Sequence, residues 1–445
     1  RNIGLKKSSL TNMKFIITIF FFIFNTNLLS ASEFLIYLES AYKNNPILNA
    51  ERENYKAIKE NINISRSKFL PSISILGSQS SQQNFNKTNQ IGVVLPDSSN
   101  TSETQSISVD QKIFQGFQGY NSLQKSKLES NQAALKLKDV EQKILLQSAT
   151  AYYDLVYKIK NTKFNLLNVD LFERQVESDS SRLQKGEITL TDLAQTESSL
   201  AGANAKFITA ETELLTSKSN FERIIRLPAP LGGIKDRFIK NVSLNFPTDL
   251  SSALIFSKKN NPKLLLAQLD YEISQKNVNI EKSKFSPSAS VNYTQSSNKD
   301  FNSSIDKTDQ EIVKATVTIP IFKGGENYSA LKKSKFKKKQ SSLILQDTIN
   351  EVKTDTANSW SIFQSSESIL KATQAQVKAA EIANEGITLE YDSGSKRTTL
   401  EVIQSRSLLL DARISNAIAE RNFAISKFEL LAVIGELTLE NLKKT

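Results

Sequence analysis

The chain has neither cysteine nor histidine, and it has only 14 glycines and one tryptophan in 445 residues. The absence of cysteine excludes disulfide bonds, thiolate metal sites and cysteine nucleophiles. The absence of histidine excludes Ser-His-Asp triads and zinc sites of the HExxH type. The phosphate-binding motifs GxGxxG and GxxxxGK[ST] do not occur. An enzyme would have to rely on Asp, Glu, Lys or Tyr alone, and we expect a protein that is not an enzyme and has no cofactor or metal site.

The N-terminal region has the pattern of a secretory signal peptide. Met13 and Lys14 precede the apolar run "FIITIFFFIF", and "NTNLLSAS" supplies small residues for cleavage after Ala31. The run is too short to cross a bilayer as a helix. We expect translation to start at Met13, so that residues 1–31 comprise an upstream stretch and the signal peptide. The mature protein is then exported.

The net charge of +11 leaves open which partner the protein binds. Basic residues are spread along the chain except for one dense run, "KKSKFKKK", which begins at Lys332. Such a run is typical of the solvated face of a helix, and a binding patch is the competing interpretation. Export and the absence of clusters that interleave aromatic and basic residues both disfavour nucleic acid. We therefore expect no nucleic-acid partner.

A long internal repeat organises the chain. The segment "NINISRSKFLPSIS" at Asn61 is repeated as "NVNIEKSKFSPSAS" at Asn277, an offset of 216 residues. A second pair, "IFQGFQGYNSLQKSK" at Ile113 and "IFKGGENYSALKKSK" at Ile321, has an offset of 208. The first copy therefore has eight extra residues between its two blocks. The predicted boundaries are a first repeat at 32–227, a linker at 228–248, a second repeat at 249–434 and a short C-terminal tail at 435–445.

Each repeat begins with a predicted helix, at 47–68 and at 263–284, and then changes to a period of two. In the first repeat Ile107 and Val109 alternate with serines and an aspartate. This pattern predicts strands with one apolar and one polar face. We expect two strands of about ten residues in each repeat, within about 70–115 and 286–322, joined by polar loops near 79–105 and 295–310.

Two stretches with almost no glycine or proline follow, at about 120–185 and 326–392. A helix of that length spans roughly 100 Å, far more than a globular domain needs. A break follows at Gly186 or Gly394, and a second helix returns with apolar residues at coiled-coil spacing. An exported coiled-coil stalk or adhesin without a pore would explain these helices but not the strands.

Strands of about ten residues with one apolar face are typical of outer-membrane barrels. A barrel in lipid must close, and four strands are too few to do so. The chain would have to share strands with copies of itself, two copies giving eight strands and three giving twelve.

Several motifs together resemble the TolC family of outer-membrane efflux and type I secretion channels. They include "NNP" before each first helix, "SKFLPSIS", "TIPIFKGG", "YDSGSKRTTLEVIQS" and "NAIAERNFAISKFELLAVIGEL". The resemblance implies a mainly helical homotrimer with a shared 12-stranded barrel and a helical tunnel. The barrel would lie in the outer membrane of a Gram-negative bacterium, in contact with its lipid, and the tunnel would extend into the periplasm without a cofactor. It also implies a periplasmic adaptor and an inner-membrane ABC or proton-driven transporter as partners.

The resemblance further implies a gate at the turns after Gly186 and Gly394. Glu401 matches the first acid of a ring that lines the constriction, and Gln404 stands where the ring has a second acid. Asp192 matches the acid that anchors a basic residue of the second turn, either Lys396 or Arg397. Tyr391 matches the aromatic residue at the end of the long helix.

Overall fold

The computed structural model describes residues 33–230, 246–302, 305–394 and 397–443, and two equivalent series of elements follow one another along them. The signal peptide and most of the predicted linker lie outside these residues. The first series comprises α1 (Glu33–Asn44), α2 (Pro46–Ser67), β1 (Ser72–Asn84), β2 (Lys87–Thr88), β3 (Val94–Leu95), β4 (Ser98–Gln115), α3 (Gln118–Gln184) and α4 (Leu190–Ile225). The second comprises α5 (Leu250–Asn260), α6 (Pro262–Ser283), β5 (Ser288–Asn302), β6 (Ile305–Thr318), α7 (Glu326–Asp392), α8 (Thr399–Val433) and α9 (Leu439–Lys443).

The internal repeat extends to the register of the strands. Ser72 of β1 lies opposite Asp110 of β4, and Ser288 of β5 lies opposite Thr318 of β6. Adding the sequence offsets of 216 and 208 to the first pair gives the second pair. The two hairpins therefore have the same register, as the duplication predicts.

The repeated "NNP" motif has a local structural cause. Asn45 is the N-cap of α2, and its side chain accepts hydrogen bonds from the amides of Ile47 and Leu48. Asn261 caps α6 in the same way. Proline at the first helical position is favoured because that position needs no amide donor. The motif thus fixes where each of these helices begins.

The two long helices, α3 and α7, each have 67 residues, so each is about 100 Å long. Each ends at a glycine with a positive φ, Gly186 and Gly394, as predicted. Among the described residues, no helix combines the length and the apolar character that a membrane span requires. The long helices α3 and α7 pack against α4 and α8, respectively, in an elongated bundle.

The main hydrophobic core lies part-way along this bundle, where α1, α4 and α8 pack around the middle of α3. Phe34 packs edge-on against Tyr152, with ring centroids 4.7 Å apart, and both side chains are fully buried. The described part of the predicted C-terminal tail at 435–445, which ends at residue 443, also packs here. Leu442 of α9 is buried, and Lys443 pairs with Glu39 of α1. The tail thus contains a short helix, which the sequence did not indicate because five residues are too few for periodicity.

The four main strands form one antiparallel sheet in the order β1-β4-β5-β6. One cross-strand row is apolar in every strand, and the next row, on the other face, is polar in every strand. The apolar row consists of Ile73, Val109, Tyr293 and Val313. The polar row consists of Ser72, Asp110, Asn292 and Lys314. The predicted division into an apolar and a polar face is confirmed.

The strands are longer than predicted, with 13 to 18 residues instead of about ten. They continue through most of the segments at 79–105 and 295–310 that we expected to be loops. Periodicity did not reveal these extensions because both faces are polar there. Strand pairing still satisfies the backbone hydrogen bonds. Between β1 and β4 there remains a small hairpin of β2 and β3, at the place where the first repeat has its extra residues.

Gly435 provides a test of this packing. It follows α8 with a φ of +79°, and an added Cβ would overlap the carbonyl group of Asn260 at the end of α5. Gly324 has a similar backbone conformation, but no atom lies within 4 Å of its added Cβ. Gly324→Ala should therefore lower the free energy of unfolding by about 1 kcal/mol, the cost of placing alanine in the left-handed conformation. Gly435→Ala should lower the thermal unfolding temperature, followed by circular dichroism, clearly further. Equal decreases in the unfolding temperature of the two variants would contradict the close contact between Gly435 and Asn260.

Candidate functional site

The first functional feature is a matched pair of helix starts at the far end of the bundle. Thr189 begins α4, and its hydroxyl accepts a hydrogen bond from the amide of Asp192, whose carboxylate bonds back to Thr189. Thr398 and Glu401 form the same capping box at the start of α8. Hydrogen bonds from Thr189 lower the pKa of Asp192, and those from Thr398 lower that of Glu401, with Arg397 contributing. Both predicted site acids therefore have a local role as helix caps.

Arg397 lies on the second turn and pairs with two carboxylates of its own hairpin. Its guanidinium is 2.6 Å from Glu390 Oε2 and 3.0 Å from Glu401 Oε1. Hydrogen bonds to these two groups, Glu390 first, raise the pKa of Arg397. Among the described residues, no hydrogen bond or ion pair joins Arg397 to Asp192 within the single chain. The predicted anchoring of the basic residue by Asp192 therefore stays a prediction.

The other predicted residues differ in their surroundings. Lys396 lies outside the described residues. Gln404 is exposed on α8, about one turn after Glu401. Tyr391 is 3% exposed at the end of α7, where the guanidinium of Arg182 lies 4.2 Å from the centre of its ring. Of the five that the structure describes, Tyr391 is the one that is buried between hairpins.

The hydroxyl of Tyr391 connects the two halves of the chain. It donates a hydrogen bond of 2.9 Å to Asp179 Oδ1 on α3 and lies 3.0 Å from the hydroxyl of Thr399 on α8. Burial raises the pKa of Tyr391, and the neighbouring Asp179 carboxylate acts in the same direction. The phenol is therefore held protonated, as a donor.

Asp179 is the centre of this cluster, and sequence reasoning missed it. Its side chain is fully buried and accepts hydrogen bonds from Gln175 Nε2 at 2.8 Å, Thr196 Oγ1 at 2.7 Å and Tyr391. Together with Thr399, these residues belong to α3, α4, α7 and α8. The carboxylate thus joins α3, α4 and α7 directly, and the hydroxyl of Tyr391 extends the network to α8. A buried charge is tolerated when hydrogen bonds of this kind satisfy it.

A buried arginine lies beside the cluster and was also missed. Arg406 of α8 is 8% exposed and donates to the carbonyl oxygen of Leu171 on α3 at 3.2 Å. Burial lowers the pKa of Arg406, whereas the charges of Asp392 and Asp179 act in the opposite direction. The positive charge therefore helps to balance that of Asp179 inside the bundle.

The internal repeat contained a signal that would have indicated these residues. Thr189 and Asp192 have matching residues, Thr398 and Glu401, at an offset of 209, because both hairpins need a cap. In contrast, the residue 208 positions after Asp179 is an isoleucine, and the residue 208 positions before Tyr391 is a leucine. A hydrogen bond between the two halves, such as that of Tyr391 with Asp179, needs a donor in one half and an acceptor in the other, so the equivalent positions differ. A comparison of the repeats position by position would therefore have placed Asp179 among the positions at which the halves differ.

The arrangement is suited to a mechanical role. It contains no nucleophile paired with a base, and within the described residues no group of three or more carboxylates is placed to hold a metal ion. What it provides is a buried network that holds the turn of the second hairpin against the first. Such a network has two clear states, intact or broken.

Comparison with known proteins identifies the family. A family model described as "Outer membrane efflux protein" matches residues 37–225 and 257–436, which are most of both repeats. The outer membrane efflux protein BepC of Brucella suis biovar 1 is 25% identical over 413 residues, 91% of this chain and 86% of the relative. The outer membrane protein TolC of Vibrio cholerae is 24% identical over 404 residues, 89% of each chain.

Solved structures have the same fold. The Campylobacter jejuni CmeC outer membrane channel superposes with a TM-score of 0.80 at 16% identity and covers 93% of this chain and 89% of its own. CusC gives a TM-score of 0.77 at 16% identity, with 90% and 91% covered. The resemblance to TolC that the motifs indicate is thus confirmed over nearly the whole chain. The chain belongs to the outer membrane efflux protein family, and its place is the outer membrane.

Proposed function

We propose that the protein is the outer-membrane exit duct of a tripartite assembly. In this proposal a periplasmic adaptor connects it to an inner-membrane ABC or proton-driven transporter, which supplies the energy and selects the substrate. The duct itself conducts passively, passing small toxic compounds in efflux or unfolded polypeptides in type I secretion. The family match over both repeats carries this proposal and disfavours the alternative of a structural stalk or adhesin.

The open edges of the sheet support a shared barrel. β1 and β6 are the outer strands, and the apolar face carries Ile75 and Val313 with more than 70% of each side chain exposed. In lipid, unpaired edges would leave backbone groups without hydrogen bonds. Three copies supplying four strands each would close a 12-stranded wall, with β6 of one subunit paired to β1 of the next.

The pairing of β4 with β5 predicts the register of that junction. Ser108 lies opposite Thr294, and their hydroxyl oxygens are 3.3 Å apart. The residue equivalent to Ser108 in the second repeat is Thr316, at an offset of 208, and the residue equivalent to Thr294 in the first repeat is Ser78, at an offset of 216. We therefore expect Thr316 of one subunit to lie opposite Ser78 of the partner subunit, and both residues carry a hydroxyl group. Both lie on the polar face of the sheet, so the deduced junction keeps one face polar and the other apolar.

This register is testable because the chain has no native cysteine. Ser78→Cys combined with Thr316→Cys should form a disulfide between subunits in the membrane, seen as covalent oligomers on non-reducing gels. Gln79→Cys with Thr316→Cys is the control, since a shift of one residue places the two thiols on opposite faces. Equal cross-linking of both pairs, or none with the first, would overturn the shared barrel in this register.

We place the gate at the opposite end of the bundle, where the turns of the two hairpins meet. The Asp179 cluster holds the α7–α8 turn against the α3–α4 turn. Opening the constriction requires the second hairpin to move away, which breaks the bond between Tyr391 and Asp179. The predicted link of Asp192 with Lys396 or Arg397 would add a bridge between the two halves at this level.

Tyr391→Phe should make the isolated channel open more readily. The substitution removes one hydrogen bond to a buried carboxylate in each subunit, about 1.5–3 kcal/mol each. Single-channel recordings in planar bilayers should show higher conductance or more frequent opening. Tyr120→Phe, which removes a hydroxyl from an exposed tyrosine of α3, is the control. Parent-like currents with Tyr391→Phe would mean that the cluster does not hold the gate closed.

Glu401 should control ion preference instead of opening. Three copies of this exposed carboxylate would form an acidic ring, and Gln404 one turn away adds no charge to it. Glu401→Gln retains an oxygen that can cap the helix, so the fold should survive while the preference for cations falls. Reversal potentials in a salt gradient measure this change. Glu197→Gln, on the other hairpin, should leave the preference unchanged, and no shift with Glu401→Gln would place the constriction elsewhere.

A further inference from the structure

The lysine-rich run at the start of α7 takes no part in the gate or in the pairing of the strands. Between Asn327 and Gln346 the chain has no acidic residue and six lysines, which are Lys332, Lys333, Lys335, Lys337, Lys338 and Lys339. Two of them lie over aromatic rings, and among the described residues none of the six forms an ion pair. The run is therefore a concentrated positive charge that the chain itself does not balance.

The first repeat shows that the long helix forms without this charge. The equivalent positions on α3, 208 residues earlier, are Gln124, Lys125, Lys127, Glu129, Ser130 and Asn131. They include only two lysines, and Lys125 forms an ion pair of 3.5 Å with Glu129. Because the same helix folds with a nearly balanced charge, the six lysines of α7 indicate a partner that carries negative charge.

The first repeat also shows which flank of the run stays open when helices pack on both sides of it. α3 packs against α2 and against α6, and Tyr120, Lys127 and Asn131 remain exposed on one face of it. The equivalent residues on α7 are exposed as well, and they are Tyr328, Lys335 and Lys339. We call these three residues the open flank of α7.

In the proposed closed ring of helices, the open flank faces outward. Neighbouring helices in such a ring lean toward the axis, so the inner side of each helix is the more crowded one. On the opposite side of α3, Ser122 and Glu129 are half-buried and Ala133 is buried. Lys335 and Lys339, on the open flank of α7, therefore lie on the outside of the ring and not in the lumen.

Exposed aromatic residues indicate the level of the membrane surface. They occur as three equivalent pairs where the sheet meets the helices: Phe69 and Phe285, Phe114 and Phe322, and Tyr120 and Tyr328. In membrane barrels, aromatic residues of this kind lie at the boundary between the acyl chains and the headgroups. The first turn of α7 therefore lies at the membrane surface on the side of the helices.

The lysines of the open flank lie within reach of the headgroups. Lys335 is about 10 Å below Tyr328 along the helix axis, and Lys339 is about 16 Å below it. Their long side chains lean toward the start of the helix, which is toward the membrane. The headgroup layer is roughly 5–8 Å thick. Lys335 can therefore contact a phosphate group, and Lys339 acts on it from one turn below, within the screening length of about 8 Å.

We propose that the open flank of α7 binds the phosphate groups of anionic phospholipids in the periplasmic leaflet of the outer membrane, with Lys335 at the headgroup and Lys339 one turn below it. The inference rests on the proposed shared barrel, which sets the level of the membrane and turns the flank outward. Basic residues next to a bilayer are attracted to anionic headgroups in this way. The contact would hold the helical bundle at a fixed height below the membrane.

Added lipid should stabilise the complex through these lysines. The complex, extracted from the outer membrane in mild detergent, is titrated with phosphatidylglycerol or phosphatidylcholine, and its thermal unfolding temperature is measured. Phosphatidylglycerol should raise this temperature and phosphatidylcholine should not, because a ligand that binds the folded state stabilises it. Lys335→Gln with Lys339→Gln should weaken the apparent affinity for phosphatidylglycerol, by about fivefold for each lysine that lies near the headgroups.

Lys353→Gln with Lys378→Gln is the matched control. Both lysines are exposed on α7 and the change in charge is the same, but they lie roughly 40 and 80 Å from the start of the helix. This variant should respond to phosphatidylglycerol like the parent. Equal losses of affinity in the two double variants would contradict the proposal, because they would show an effect of total charge alone. The same lysine-dependent shift with inorganic phosphate, or with an acidic peptidoglycan fragment, would also contradict it.

Energy transfer in proteoliposomes tests where the lipid lies. A donor dye on Ser342→Cys, one turn after Lys339, should transfer more energy to acyl-labelled phosphatidylglycerol than to acyl-labelled phosphatidylcholine at the same mole fraction. The difference should disappear with Lys335→Gln and Lys339→Gln. Equal transfer to both lipids in the parent would overturn the lipid surface. If the Ser78 and Thr316 pair still forms its disulfide in that case, the shared barrel stands and only the lipid surface falls.

Discussion

The need to pair every backbone group of a sheet in lipid is the constraint on which the rest of the structure depends. The sheet has an apolar face on the row from Ile73 to Val313 and unpaired edges at β1 and β6. Neither edge can remain open in a bilayer. In the proposed channel a single chain is therefore an incomplete wall.

The duplication offers an economical solution to that problem. Within one chain the two halves meet through β4 with β5 and α3 with α6. The proposed contact between copies, β6 with β1, would use the equivalent strands. Where both hairpins need the same local structure, the two halves have equivalent residues, as in the capping boxes of Thr189 and Thr398. Where the hairpins must be held in one particular arrangement, the halves differ, and Asp179 with Tyr391 is the clearest difference.

Much of the fold was predictable from the sequence because the pattern of each element occurs twice, once in each repeat. The long helices, their ends at Gly186 and Gly394, and the strand faces followed from periodicity and glycine placement. Strand length did not, since serine, threonine and glutamine on both faces remove the period of two in the part of β4 that precedes Ile107. Asp179 was not predicted because Tyr391, the partner that connects it to the other half, is 212 residues away along the chain. Local sequence around Arg397 likewise gives no indication of its choice of Glu390 and Glu401 as partners.

The central claim is that one chain is an incomplete wall and that copies of it close the channel. The mass of the complex, extracted from the outer membrane in mild detergent and measured together with its conductance in planar bilayers, tests this most directly. The account predicts a conducting species with the mass of three processed chains and no conduction from any smaller species. A monomer that inserts in bilayers and conducts would contradict it.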